Sequence, residues 1–148
     1  MKPRHILLVE DNAQDERLTL RALSKANLAN AVQVVRDGQQ ALDCLFREGP
    51  YAQEPDPGPP TVVLLDLSLP RVSGLEVLER LRGDARTRLV PVVILTSSDD
   101  DEDRLRSYRL GANSFVRKPV DFAAFAEAVA RLGLYWMALN EPPGGSRP

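Results

Sequence analysis

A carboxylate at the end of an apolar run is the first place in this sequence where chemistry could sit. Residues 61–70, TVVLLDLSLP, carry four apolar side chains without polar alternation into Asp66, and Pro70 rules out an ordinary helix through that point. A buried strand thus delivers an acid to its own end, although an isolated aspartate of this kind could equally cap the next turn. Three other apolar runs end in polar residues: the first in Glu10 and Asp11, the fourth in Thr96, the fifth in Lys118. In an open parallel sheet, ligands bind outside the carboxyl ends of the strands, where all these residues fall. Three carboxylates brought together repel, and one must keep a proton unless positive charge compensates. The Lys118 ammonium and a divalent cation supply that charge. Carboxylate oxygens with a backbone carbonyl and waters suit octahedral Mg²⁺, and the lack of His or Cys nearby argues against zinc. A nucleophilic carboxylate, a hard cation, a lysine and a hydroxyl make a phosphoryl-transfer site: the aspartate attacks phosphorus while cations neutralise the equatorial oxygens.

Those residues need elements to hold them, and the hydrophobic period supplies them. Short branched-apolar runs predict strands at 5–9, 31–35, 62–65, 91–95 and 113–118. Helical spacing predicts helices at 13–26, 39–48, 74–82 behind a Ser73 cap, 99–110, and from an Asp121 cap to Leu139. The acidic run 99–103 fits a helix start, favoured by the macrodipole, better than a calcium loop. Five prolines between 50 and 60 exclude both helix and central strand, so that stretch reads as an extended, exposed connection. Helices alternating with strands can cross over between parallel neighbours. The expected fold is therefore a three-layer, doubly wound α/β domain with the flavodoxin-like order 2-1-3-4-5 and helices on both faces. It would occupy residues 1–139 as one domain, followed by a flexible tail at 140–148.

Composition narrows the class. With 148 residues the chain can bury a core without staples, and its single cysteine, Cys44, falls in a helical pattern and reads as a small buried hydrophobe. That usage fits a reducing, cytoplasmic setting. A net charge of −2 with 27% charged residues of mixed sign gives no footprint for nucleic acid and no polybasic membrane patch. The apolar run at 6–9 is too short for a signal peptide or a membrane span.

Taken in order and spacing, LLVEDN, LLDLSLPRVSG, ILTSS and GANSFVRKP resemble the receiver domain of two-component response regulators, over roughly residues 3–139. The resemblance implies that Asp66 is the phosphoacceptor and that Mg²⁺ is held by Asp11, Asp66 and the main-chain carbonyl of Ser68, with Glu10 reaching it through water. It implies that Thr96 bonds one phosphoryl oxygen and Lys118 another, with the Lys118–Pro119 bond cis. Phe115 stands at the family's aromatic switch position, and without a hydroxyl it can act only by packing. The donor histidine must come from a partner sensor histidine kinase, since His5 lies within the first strand. The proline-rich loop and the aromatic end of the last helix further resemble small single-domain regulators that serve bacteriophytochrome and related kinases. Rival readings fit less well. A haloacid-dehalogenase-type phosphatase needs a second Asp where Ser68 stands, an FMN binder needs a hydroxyl-rich loop where Glu10-Asp11-Asn12 stands, and no GxGxxG follows the first strand. A degenerate receiver, serving only as an interaction module, would tend to lack the acid or the lysine.

The fifth helix carries a second signal. Phe122, Phe125, Val129, Leu132 and Trp136 follow helical spacing and read as its inward stripe. From 132 to 139 the sequence LGLYWMAL has no charge on any side, so Leu134, Tyr135 and Met137 are expected to form a homodimer contact. The small residues Ala124 and Ala128 would let another helix approach, and the alternative is that the proline-rich loop folds back over the patch.

Overall fold

The computed structural model describes residues 4–143. Five strands, β1 (Ile6–Val9), β2 (Val32–Val35), β3 (Val62–Leu65), β4 (Val92–Thr96) and β5 (Ser114–Arg117), form one parallel sheet in the order 2-1-3-4-5. Between and after them run α1 (Ala13–Lys25), α2 (Gly38–Phe46), α3 (Gly74–Arg82), α4 (Asp101–Arg109) and α5 (Phe122–Leu134). The expected architecture is therefore the observed one: β3 and α3 keep their expected ends, other ends shift by at most two residues, and α5 is α-helical to Leu134 instead of Leu139. Residues 144–148 of the expected tail lie outside the described residues.

Strand alternation divides the interior into two cores. Leu7, Val9, Val63, Leu65, Val92 and Ile94 face α2 and α3, joined by Phe115 from β5. Ile6, Leu8, Val62, Leu64, Val93 and Leu95 face α1 and α5, with Ala22, Leu23, Phe125, Val129 and Trp136. Because β1, β3 and β4 are covered on both faces, their runs are apolar throughout, and that is why they were legible in the sequence. Side-chain caps fix the helix starts: Asn12 accepts from the Asp15 N–H, Asp37 from Gln40 and Ser73 from Glu76. Helix α4 is the exception in its packing, since Ser107 alone of its nine residues is buried.

The segment after β5 departs from expectation in three places. Phe122 is not in the core; it is the first residue of α5, directly after the Asp121 cap, and is 61% exposed. Gly133 is on the buried face instead: a Cβ there would lie 2.7 Å from a Leu23 methyl and 2.9 Å from one of Leu28, so α1 and α5 meet closely at this point. Beyond Leu134 the helix widens into a π-helical turn, Tyr135–Leu139, closed by the Asn140 N–H on the Tyr135 carbonyl at 2.7 Å. Met137 follows Gly133 onto the inner side and packs against the second core, which corrects its expected place in an outward contact. Arg4 locks this turn from the start of the chain, donating from Nη1 to the Met137 carbonyl at 2.8 Å. Leu134 and Tyr135 do face outward, 45% and 47% exposed. Phe122–Leu139 is also long and apolar enough, at 18 residues and mean hydropathy 1.3, to approach a membrane span, yet Phe125, Val129 and Trp136 commit one face of it to the core.

The proline-rich connection opens with a short 3₁₀ turn, Gly49–Tyr51. Its later part, from Asp56 to Pro60, lines a cavity with His5, Leu7, Gln33, Cys44, Leu45, Arg47, Arg86 and Thr87 and leaves Leu134 and Tyr135 uncovered.

Candidate functional site

Four strand ends deliver the expected side chains to one pocket. Glu10 follows β1, Asp66 follows β3, Thr96 ends β4 and Lys118 follows β5; all four are buried. Register brings them level: Val9 pairs with Leu65, and the Asp66 N–H donates to the Val9 carbonyl at 3.2 Å. On the other side the Lys118 N–H donates to the Thr96 carbonyl at 2.7 Å. The loop after Asp66 is clamped from behind by Gly74, whose N–H donates to the Leu67 carbonyl at 3.0 Å. A Cβ on Gly74 would lie 2.3 Å from the Asp66 carbonyl oxygen, so only glycine lets α3 start this close to the acid.

The two oxygens of Asp66 face different partners. Oδ1 accepts from the Thr96 hydroxyl at 3.0 Å and from the Ser68 N–H at 3.1 Å, while Oδ2 accepts from Lys118 Nζ at 2.9 Å. Thr96 is oriented in turn by the Ser98 N–H, 3.3 Å from its Oγ1. Lys118 Nζ also donates to Glu10 Oε1 at 2.6 Å and to Asp15 Oδ2 at 2.8 Å. An ammonium has three N–H groups, and here each meets a carboxylate.

Charge states follow from that crowding. Burial pushes the Glu10 carboxyl up to about 7, against the pull of its Lys118 hydrogen bond, and the charge of Asp66 adds to the rise. Burial by itself would lower the Lys118 ammonium, but the hydrogen bonds it donates to Asp15, Glu10 and Asp66 outweigh it and hold the group firmly protonated, above its ordinary value.

Oxygen atoms of Glu10, Asp11 and Asp66 approach within 4.8 Å of one another, and Asp11 is exposed at the mouth. All three are hard oxygen donors, with the Ser68 carbonyl two residues along from Asp66, a set that fits a small divalent cation such as Mg²⁺ or Mn²⁺. The residues expected at this site are thus brought together, with two qualifications. The Lys118–Pro119 bond is trans, as is every described peptide, which is the intrinsically preferred isomer by about 0.5–1 kcal/mol and still lets Lys118 reach all three carboxylates. Phe115 lies outside the pocket, half-buried against the α2 and α3 side. One residue was missed: Asp15, whose position in the first turn of α1 reads in sequence as an ordinary helix-start acid.

Such a sheet, with acids, a threonine and a lysine gathered at the carboxyl ends of its strands, defines a class of α/β domain built around a strand-end aspartate. Within that class the chain belongs to the response regulator receiver domain family, whose model matches residues 6–130. Among its relatives, the response regulator Rcp1 of Synechocystis sp. is 33% identical over 91% of this chain and 90% of its own length. The Mn²⁺-bound structure of Rcp1 superposes with a TM-score of 0.88 over 96% of this chain and 100% of that one. The phosphorylated cyanobacterial phytochrome response regulator RcpA, 34% identical, also gives 0.88, over 96% and 99%. The bacteriophytochrome response regulator AtBRR is closer in sequence, 54% identical over 95% of this chain and 100% of its own, with a TM-score of 0.74.

Proposed function

We propose that this protein is a single-domain response regulator that accepts a phosphoryl group on Asp66 from a sensor histidine kinase, in a reaction that requires Mg²⁺. The observation that carries the reading is the pair of holds on Asp66: a hydroxyl and an amide on one oxygen, an ammonium on the other. In the transfer an Asp66 oxygen forms a bond to phosphorus as the bond from phosphorus to the donor's imidazole nitrogen breaks, the electron pair returning to the ring. Asp11, Glu10, Asp66 and the Ser68 carbonyl would hold the cation, which when bound neutralises phosphoryl oxygens. Lys118 neutralises another oxygen, and Thr96 turns its hydroxyl from Asp66 to the phosphoryl group. The protein acts on itself alone in this reading, as phosphoacceptor and not as an enzyme with a separate substrate.

Two relatives named as phytochrome or bacteriophytochrome response regulators, RcpA and AtBRR, support a bacteriophytochrome as the kinase. The signal would leave by protein contact on the face of α4, β5 and α5, with Phe115 repacking as Thr96 moves, in a cytoplasmic protein that binds neither nucleic acid nor membrane. Exposed Leu134 and Tyr135 support a homodimer through the end of α5. Incubation with acetyl phosphate and Mg²⁺, followed by intact mass measurement, tests the central claim. One phosphoryl group should be gained by the natural protein and none by Asp66→Asn, and a gain that persists in that variant refutes it.

A further inference from the structure

Lys118 has three N–H groups and three carboxylates, and the third of these has no place in the phosphoryl-transfer scheme. Glu10 and Asp66 are buried, whereas the Asp15 side chain is 28% exposed and reaches in from α1 to take the remaining N–H at 2.8 Å. Its backbone is fixed by the helix start, its own N–H donating to Asn12 Oδ1 at 2.9 Å, so the side chain is aimed by the fold. A phosphoryl group arriving at Asp66 needs cationic hydrogen bonds, and every N–H of Lys118 is already committed. Esterification removes the charge of Asp66 and frees the N–H it held, but a second N–H for the dianion must be taken from Glu10 or Asp15. Glu10 would be left as a buried acid without its partner, at high cost, whereas Asp15 can pass to water. Until it does, its negative charge opposes an incoming dianion and offsets the ammonium's repulsion of a nearby metal cation.

We propose that Asp15 is a positioning residue that competes with the phosphoryl group for the Lys118 ammonium and so restrains phosphorylation of Asp66. The proposal rests on the phosphoacceptor reading, but one of its two readouts does not. Without the charge at position 15 the ammonium is freer: it attracts a phosphoryl dianion more strongly and repels a divalent cation more strongly. Asp15→Asn keeps the shape and an acceptor oxygen but loses the charge. At saturating Mg²⁺ its second-order rate of phosphorylation by acetyl phosphate should rise roughly three- to tenfold, while Mg²⁺ affinity by calorimetry should fall by roughly the same factor. Asp15→Glu should bring both back toward the natural values. A helix-start role alone would move the thermal midpoint and neither of these quantities. Unchanged Mg²⁺ affinity in Asp15→Asn, or phosphorylation that is unchanged or slower, overturns the proposal. Should the natural protein take no phosphoryl group at all, the phosphoacceptor reading fails and the Mg²⁺ titration still decides the role of Asp15.

Discussion

Glu10 is the acid whose charge is most finely set by its surroundings. Its carboxyl is raised from 4.5 to about 7, chiefly by burial, so the folded protein holds this proton more tightly than the unfolded chain does. That contribution to stability is fully present below about pH 4.5 and is lost as pH rises through about 7. With chelator present, urea unfolding should therefore show stability falling between pH 5 and pH 8 by roughly 1–3 kcal/mol from this group, and Glu10→Gln should flatten the slope. Mg²⁺ competes with the same proton, so its binding should strengthen over that interval. None of this could be read from the sequence. Glu10 and Asp11 were visible as strand-end acids because the apolar run before them is unbroken, but which of the two is buried depends on the turn that follows. Asp15 was invisible for a different reason: its partner lies 103 residues away, and a helix start explains an acid without one.

At the scale of elements, the sequence was most informative where two faces of a strand are covered and least where a helix changes its pitch. The runs Ile6–Val9 and Val62–Leu65 admitted one reading, and the strand order followed from the alternation with helices. The end of α5 did not, because a stripe drawn at constant helical spacing cannot foresee the π-helical turn that carries Met137 inward. Nor does the sequence say why a glycine follows Ser73. The structure does: α3 begins against the backbone of Asp66 and Leu67, where a Cβ would stand 2.3 and 2.6 Å from their atoms. Gly74→Ala should cost about 1–3 kcal/mol in denaturant unfolding and, by pushing the acid-bearing loop, slow phosphorylation of Asp66 as followed by intact mass. A full loss of stability with an unmoved rate in the folded fraction would contradict this coupling of α3 to the acid.

For the molecule as a whole, the outward patch at the end of α5 is where the proposed homodimer would form. The proline-rich connection does not cover it, and Leu134 and Tyr135 remain half exposed beside Leu139. Met137 is partly buried and packed against the second core, so it is a poor place to probe the patch; the informative change is Leu134→Gln with Tyr135→Ser. Sedimentation at high micromolar concentration should show a dimer for the natural protein and a monomer for this variant at unchanged thermal midpoint. A natural protein that sediments as a monomer, phosphorylated or not, excludes the homodimer.

The reach of Lys118 carries a further consequence for the making of the protein. Its bonds join residues 108, 103 and 52 positions apart, and β5, which presents it, is the last strand of the sheet and lies at its edge. A growing chain therefore displays Glu10, Asp15 and Asp66 long before it owns the cation that reconciles them. Until the fifth strand docks, those acids repel one another in a half-built sheet whose remaining cost of loop closure is still to be met. The pocket is therefore expected to complete late in folding, so competence to accept the proposed phosphoryl group would mark a chain whose fifth strand has docked.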